Sequence, residues 1–430
     1  MAFKRLYLCI WTALALVPAG VIPAEAAEAE LPPVKLETLI EFALENNPEI
    51  RALAKQTEAL GHTVPQAGSL DDPVVGVQLV NAPVGTLALD QTPMTGIQLV
   101  AKQKVPYPGK LRLRKEIAAH RVSASEAEYQ QVVDAVVANV KTAYADYYFV
   151  DQAILVTQEN KKVLEELVEI VDIRYSVGEG VQQDTIKARV EVAKLVDELI
   201  KLRRTEKTVK ARINALLDRA STAPLGKPAG IEKHDMQCSI AQLEEIAVRH
   251  NPTFYRRRSD IARFEAARDL AEKDLKPDFE FGLGYRIRSR SPGDPVRGKD
   301  FWSFSVMMNI PIYAKSKQRE KIEEEEANTE LAQTRLDAAK NDAFFQIKDF
   351  VAGIEEAGKQ IELFKTGIIP EAELVLESSL SAYQANQVDF LTVLNNELTL
   401  YNYQIKYYRA LADHEKSIAQ LERAIGKRLF

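Results

Sequence analysis

The feature that most constrains this 430-residue chain is one uninterrupted helical stretch that is too long for a globular domain. The residue pattern predicts a helix over 110–176, about 67 residues, which measures about 100 Å at 1.5 Å per residue. Apolar positions in its middle recur at steps of four and three, as in the seam of a coiled coil: Val133, Val137, Val140, Tyr144 and Tyr147. The chain must therefore be elongated, with its core arranged along helical seams.

The chain is also duplicated. Pro48 and Pro252 lie 204 residues apart, and Pro73 and Pro277 are separated by the same interval. The neighbouring sequences match as well, since LETLIEFALENN before the first Asn-Pro pair resembles IAQLEEIAVRHN before the second. A repeat of this size indicates that two copies of one structural unit build the fold.

Each copy is predicted to contain a helix, a β-hairpin, a long helix and a shorter return helix. For the first repeat, 34–220, we expect helices over 34–70, 110–176 and 181–219 and strands over about 74–80 and 94–105. For the second, 238–430, we expect helices over 240–275, 313–383 and 387–425 and strands over about 278–287 and 301–310. A Pro/Gly-rich linker over 221–237 joins them. The expected fold class is mainly α with a small β part, in which the two short helices stack end to end beside each long one.

The second hairpin carries the clearest strand signal. Its two segments alternate at the two-residue period of a β-strand, with aromatic and aliphatic side chains on one face and polar or Gly residues on the other. Alone, such a hairpin fits a soluble antiparallel sheet as well as it fits a membrane strand. The second copy of the hairpin favours the membrane, and the residues predicted to face lipid are Phe279, Phe281, Tyr285, Trp302, Phe304 and Val306.

The N-terminus has the three parts of a secretory signal peptide, which we place over 1–26. Lys4 and Arg5 precede a short apolar run, and a small-residue cleavage site follows it. Cys9 lies inside the apolar run without a small residue before it, so lipid attachment there is not expected. Cys238 then remains as the one mature cysteine, and no intrachain disulfide is expected.

Neither charge nor motifs indicate a nucleic-acid partner or an enzyme. The net charge of −6 is mild and the charged residues, 27% of the chain, are well mixed, so no basic stripe is present. No Gly-rich phosphate loop, nucleophile elbow or HExxH motif occurs. The five histidines are isolated along the sequence: His62, His120, His234, His250 and His414. We therefore predict no cofactor and no metal site.

Four predicted strands are too few to close a barrel. Bacterial single-chain barrels have at least eight strands, so closure requires further copies of the chain. Two copies would give about eight strands, too narrow for an open lumen, whereas three would give about twelve and leave a pore. The sequence thus favours a homotrimer with a helical tube below a shared barrel.

The chain resembles the TolC-type outer-membrane efflux proteins over essentially all of its mature length. The similarity lies in the duplicated segment before each Asn-Pro pair and in three further segments, KVPYPGK from Lys104, YSVGEGVQQDTI from Tyr175 and DFLTVLNNELTLY from Asp389. The resemblance implies a trimer in the outer membrane with a large periplasmic part. It also implies a periplasmic adaptor, an inner-membrane pump and the export of small molecules or metal ions.

The same resemblance places a gate at the periplasmic helix turns. Residues that match the family's turn motifs are Tyr175, Gly178, Asp184, Tyr383, Asn386, Asp389, Thr392 and Asn395. Thr392 and Asn395 stand where relatives often carry acidic residues, and Asn386 stands where they often carry Gly. An alternative role for Asp184 and Asp389 is ordinary stabilisation of a helix N-terminus.

Two further assignments stay open at this stage. The KVPYPGK segment and Pro93-Met94-Thr95 resemble the family branch that pairs with heavy-metal pumps, but methionines on strands, such as Met94, Met307 and Met308, are commonly plain apolar filling. The competing class of function is a secreted coiled-coil scaffold, or a periplasmic adaptor without a pore. Such a scaffold explains the heptads but not the matched hairpins.

The strand phase can be tested by substitution. If Phe304 and Val306 face lipid near the bilayer midplane, Phe304→Arg and Val306→Arg should each cost about 2–4 kcal/mol of folding free energy. Ser305→Arg, on the opposite face, should cost far less. Denaturant-dependent folding into lipid vesicles measures these energies, and equal tolerance at all three positions would contradict the assigned phase.

Overall fold

The computed structural model describes residues 32–430, and the signal peptide expected over 1–26 lies outside them. The first half contains α1 (Leu36–Asn46), α2 (Pro48–Gly61), α3 (Thr63–Gly68), β1 (Val74–Val80), β2 (Gly96–Val105), α4 (Lys110–Ser176) and α5 (Gln182–Leu216). The second half contains α6 (Ile240–His250), α7 (Pro252–Lys273), β3 (Phe279–Ile287), β4 (Phe301–Met308), α8 (Gln318–Glu362), α9 (Ile369–Gln384) and α10 (Phe390–Ile425). Leu363–Ile368 forms a π-helical segment between α8 and α9.

The 67-residue helix α4 runs over the length expected from the sequence. Glycines with left-handed backbone mark both of its boundaries, Gly109 at φ +96° and Gly178 at φ +81°. Among residues 32–430, no helix is both long enough and apolar enough to cross a membrane.

The single helices expected over 34–70 and 240–275 are instead broken, and Asn-Pro pairs cause the break. Asn47 leaves the helical backbone region, and its side chain caps α2 by accepting from the amides of Glu49 (2.9 Å) and Ile50 (3.3 Å). Asn251 does the same for α7, accepting from the amide of Thr253 at 2.7 Å. In both cases Pro begins the new helix, where its missing N–H costs nothing.

These two asparagines also join elements that are distant in sequence. Asn47 Nδ2 donates to the carbonyl of Leu216 at the end of α5 (2.9 Å), and Asn251 Nδ2 donates to Ala424 near the end of α10 (2.7 Å). Each asparagine therefore fixes the start of one helix beside the end of a return helix. This arrangement places the short helices in line along α4 and α8.

The long helix expected over 313–383 is also interrupted. Tyr313 to Lys317 form turns, in which Ser316 N donates to the carbonyl of Tyr313 (3.1 Å), so that α8 begins at Gln318. Further on, the π-helical segment widens the helix just before Pro370. Proline has no N–H to donate and its ring crowds the preceding turn, so a local π-helical adjustment accommodates it.

The four strands form one antiparallel sheet in the order β1-β2-β3-β4. Each hairpin pairs internally, and the two hairpins pair with each other through β2 and β3, with Ile97 opposite Ile287 and Val105 opposite Phe279. No strand within residues 32–430 pairs with the outer edges of β1 and β4. The sheet is therefore open.

The helical core consists of matched clusters. In the first half, buried Leu39, Ala43 and Ile213 pack on the seam of α4, and in the second half Leu243, Ala247 and Leu421 pack on that of α8. A third cluster near the helix turns combines Leu164 and Val171 of α4 with Tyr383, Phe390 and Val393. This third cluster joins the two halves near the turns, at a distance from the sheet.

Lys110 fixes the junction between the sheet and the helices. Its side chain is 2% exposed, and Nζ lies 3.0 Å from Asp274 Oδ1 and 2.8 Å from Asp278 Oδ1. The same ammonium group donates to the carbonyl of Lys276 (3.2 Å), and Asp278 accepts from the amide of Tyr107 (2.8 Å). One buried cation thus links the start of α4 with the chain segment that enters β3.

Replacing this cation should destabilise the protein. Lys110→Met should reduce the free energy of unfolding by about 2–3 kcal/mol, because it leaves two partly buried carboxylates without their counter-ion. Lys102→Met is the matched control, since the Lys102 side chain is 41% exposed and its pair with Glu280 (3.1 Å) should be worth less than about 1 kcal/mol. Denaturant unfolding of the detergent-solubilised protein measures both, and a Lys110→Met loss no larger than the control would refute the role assigned to Lys110.

Candidate functional site at the helix turns

The turns that end α4 and α9 share one backbone motif. After α4, Gly178 N donates to the carbonyl of Tyr175 (3.1 Å) and Glu179 N donates to that of Arg174 (2.9 Å). After α9, Asn386 N donates to Tyr383 (3.1 Å) and Gln387 N donates to Ala382 (2.9 Å). Asn386 adopts φ +58°, so it takes the left-handed position that Gly178 occupies in the first turn. Asn tolerates this conformation better than most residues, as expected for a turn at Asn386.

Arg174 connects the two turns. Its Nη1 donates to the backbone carbonyl of Tyr383 at 2.7 Å, and its Cζ lies 4.6 Å from the centre of the Tyr383 ring. The guanidinium group also lies 3.9 Å from Glu179 of its own turn. The Arg174 side chain is only 14% exposed, so this contact is partly shielded from water. Sequence reasoning did not single out Arg174, because nothing local to it identifies a partner in the other half.

The two aligned tyrosines have different environments. Tyr383 is 7% exposed and packs against the Phe390 ring, with centroids 6.0 Å apart. Burial raises the pKa of Tyr383, and the positive charge of Arg174 opposes that rise. Tyr175 is 46% exposed. The structure therefore gives Tyr383 a structural contact between the halves and leaves Tyr175 on the surface.

The two predicted acidic residues also differ. Asp389 is the N-cap of α10. Its carboxylate accepts hydrogen bonds from the amide (2.9 Å) and the hydroxyl (2.5 Å) of Thr392. These hydrogen bonds lower the pKa of Asp389. Asp184 lies in the first turn of α5, and its pKa is raised, mainly by burial and also by the negative charge of Asp389. The capping geometry of Asp389 matches the helix N-terminal role that the sequence left open.

The remaining turn residues lie at the surface. Thr392 is exposed and bonds Asp389, and Asn395 is exposed one turn further along α10. Gly178 and Asn386 are also exposed. The structure thus joins Arg174 to Tyr383 and places Asp184 and Asp389 at the N-terminal ends of α5 and α10.

The sheet has two chemically distinct faces. Register pairs Phe281 with Val306, Leu283 with Phe304 and Tyr285 with Trp302 on one face. The other face is polar, as Gln98 Nε2 donates to Ser303 Oγ (3.3 Å) and Arg286 Nη2 donates to Gln98 Oε1 (2.9 Å). Gly284 also belongs to this polar face, where a side chain larger than that of glycine would collide with Ser303 Oγ. All six residues predicted to face lipid lie on the apolar face.

Within the described part of the chain, no three His, Cys, Asp or Glu side chains are close enough together to hold a metal ion. Two histidines that lie far apart in the sequence share one carboxylate, since Nδ1 of His234 (3.3 Å) and Nδ1 of His414 (3.1 Å) both contact Glu415 Oε1. The linker before α6 brings His234 to α10, which no local pattern indicates. Neighbouring Met307 and Met308 lie opposite Glu280 and Phe279 and so point to opposite faces of the sheet.

Comparisons with known proteins agree with this architecture. A family model described as outer membrane efflux protein matches residues 39–218 and 244–427. The solvent efflux pump outer membrane protein SrpC of Pseudomonas putida is 22% identical over 91% of this chain and 85% of its own length. The cobalt-zinc-cadmium resistance protein CzcC of Cupriavidus metallidurans is 20% identical over 97% of this chain and 94% of its own.

A solved structure shows the same fold. The outer membrane protein VceC of Vibrio cholerae superposes with a TM-score of 0.76 at 16% sequence identity, covering 92% of this chain and 97% of that one. The family consists of efflux channels and not of enzymes. Together with the family match over both halves, this shows that the chain belongs to the outer membrane efflux protein family and is an outer-membrane exit duct with a large periplasmic helical part.

Proposed function

We propose that three copies of this chain form one closed duct. The observation that carries this proposal is the open four-stranded sheet, whose β4 edge strand is exposed at all eight residues and whose one face is apolar. In lipid, unpaired backbone groups at a sheet edge are too costly to persist, so the edges must pair. Pairing β1 of one copy with β4 of the next closes about twelve strands when three copies join.

The apolar sheet face then meets lipid and the polar face lines the lumen. Phe304 and Trp302 are 70% and 69% exposed on the single chain, as expected for side chains that a bilayer covers. The helices continue the lumen through the periplasm. Because their seams already pack within one chain, the neighbouring copies supply the remaining contacts of the tube wall.

The helix turns form the gate of this duct. Arg174 holds the turn after α4 against the turn after α9, and Asp184 and Asp389 supply negative charge beside it. Breaking the contact between Arg174 and Tyr383 frees the two turns to move apart. The turns are also the part of the chain furthest from the sheet, where an adaptor and an inner-membrane pump would engage the duct.

The duct itself does not select the class of substrate. Its relatives include one named for solvent efflux and one named for cobalt, zinc and cadmium resistance. In this proposal the paired pump selects the exported molecule, and the duct supplies the exit.

Oligomeric state and conductance test the duct directly. Native mass spectrometry of the detergent-solubilised protein should show three chains per particle, and planar bilayers should show discrete ion-conducting steps. Just after β4, Asn309 N donates to the carbonyl of Asp278 beside β3 (3.3 Å), so the amides of the alternate residues 302, 304 and 306 face the open edge. Val306→Pro removes one of these outward N–H groups and should reduce the trimer fraction. A monomeric protein without conductance would favour the scaffold or adaptor alternative.

Loss of the turn contact should open the duct. Arg174→Ala removes a charge-assisted hydrogen bond worth about 1.5–3 kcal/mol per chain and should raise the open-to-closed ratio by about tenfold or more. Arg189→Ala is the matched control, because the Arg189–Asp172 pair (2.7 Å) lies in the same region but joins only α4 and α5. Single-channel recording measures the ratio. Equal effects of the two substitutions would show that Arg174 is not a gate contact.

A further inference from the structure

The seam between α4 and α10 contains polar pairs at several levels. Towards the middle of the molecule, Lys141 pairs with Glu422 (2.5 Å) and Lys416 pairs with Asp146 (3.0 Å), so each carboxylate faces a cation. Closer to the turns, Glu397 of α10 faces Asn160 of α4 instead. Glu397 therefore lacks the counter-ion that the other seam carboxylates have.

The Glu397–Asn160 contact is deeply buried, and two of its four polar side-chain atoms lack a hydrogen-bond partner. Glu397 is 2% exposed and Asn160 is 5% exposed. Asn160 Nδ2 donates to Glu397 Oε1 at 2.6 Å, while Asn160 Oδ1 and Glu397 Oε2 are buried without a hydrogen-bond partner. Both remaining atoms are acceptors unless the carboxyl group carries a proton.

One proton satisfies both of these atoms. A carboxylic acid and a primary amide can form a cyclic pair, in which the amide N–H donates to one carboxyl oxygen and the acid O–H donates to the amide oxygen. Here Nδ2 already makes the first bond, and a proton on Oε2 makes the second towards Oδ1. An ionised carboxylate would place a buried charge against an amide oxygen, with no compensation.

The surroundings give no cation that would favour ionisation. Tyr401 lies on α10, one turn from Glu397, and its hydroxyl is 3.1 Å from Thr157 Oγ1 of α4. Burial raises the pKa of Tyr401. The negative charge of Glu198 on α5 also raises the pKa of Tyr401. Among residues 32–430, no Lys, Arg or His forms an ion pair with Glu397, and burial raises the pKa of Glu397 to about 7.

We propose that Asn160 and Glu397 form a proton site that controls how tightly α4 and α10 pack just above the helix turns. With the proton bound, the two side chains complete a neutral cyclic pair and the seam is closed. When the proton leaves, the seam holds an uncompensated carboxylate, and local opening, which hydrates the charge, becomes more frequent. The proton site is independent of the proposed duct, because the burial and hydrogen bonding of Asn160 and Glu397 carry it.

The direction of the pH effect follows from the two protonation equilibria. In the closed seam the pKa of Glu397 is about 7, whereas once exposed to water it returns towards its ordinary value of 4.5. The closed seam therefore binds the proton more tightly, and its stability falls as pH rises from about 4.5 to about 7. Above that range the effect is constant. Between pH 6 and pH 8 the local opening equilibrium should rise by about tenfold.

Hydrogen exchange tests this expectation. Amide exchange in residues 394–402 and 157–164 of the full-length protein, corrected for the intrinsic pH dependence of exchange, should accelerate by about tenfold from pH 6 to pH 8. Glu397→Gln keeps both hydrogen bonds without a titrating group, so its corrected rates should not change with pH. Glu422→Gln is the matched control, and it should keep the wild-type pH dependence. A flat wild-type profile, or the same slope in Glu397→Gln, would overturn the proposal.

A second measurement detects the proton itself. Infrared spectra of the wild-type protein should show the carbonyl stretch of a protonated carboxylic acid that disappears between pH 6 and pH 8 and is missing in Glu397→Gln. Persistence of that band in Glu397→Gln would overturn the assignment. Bilayer recordings of the same variants separate the two proposals, because a protein that conducts nothing at any pH refutes the gated duct, while exchange and infrared data still decide the proton site.

Discussion

The open edges of the four-stranded sheet are the constraint on which the rest of the structure depends. Within the described chain, β1 and β4 each leave a row of backbone groups without a strand partner, and a sheet of four strands is too small to close on itself. Every further feature of the proposed duct follows from the need to pair these edges with another copy. The helices then continue from a shared wall, so their length is set by the distance to be crossed and not by a globular core.

A second constraint is the length that a single return helix can cover. The return helix α5 has 35 residues and α10 has 36, so neither spans the whole length of the 67-residue α4. In each half an Asn-Pro joint sets a short helix in line with the return helix, and together the two helices form a column along the long helix. Asn47 and Asn251 make these joints, since each caps one helix and binds the last turn of another. The same two residue types at matching places produce the same joint, which is why the duplicated sequence yields two equivalent columns.

Local sequence patterns predicted much of this fold, but they did not specify the contacts between the two halves. The two-residue period of β3 and β4 and the glycines beside α4 act on neighbouring residues, so their outcomes can be read from the sequence. The breaks at Asn47 and Asn251 were missed because an asparagine cap competes successfully with a continuing apolar period. Lys110, Arg174 and Asn160 bind partners 166, 209 and 237 residues away, and no local pattern specifies such pairs.

The two halves remain alike at the joints and differ at the turns, and this difference bears on how the duct works. Both turns have the same backbone hydrogen bonds, yet Arg174 in the first is replaced by Ala382 at the matching position of the second. A symmetric pair of turns would bind each other reciprocally, whereas here one arginine reaches across and one tyrosine is buried. A single contact between unlike turns is easier to break than two reciprocal ones. In the proposed gate the turns separate while the joints stay rigid, so it is physically consistent that the two copies are alike at the joints and differ at the turns.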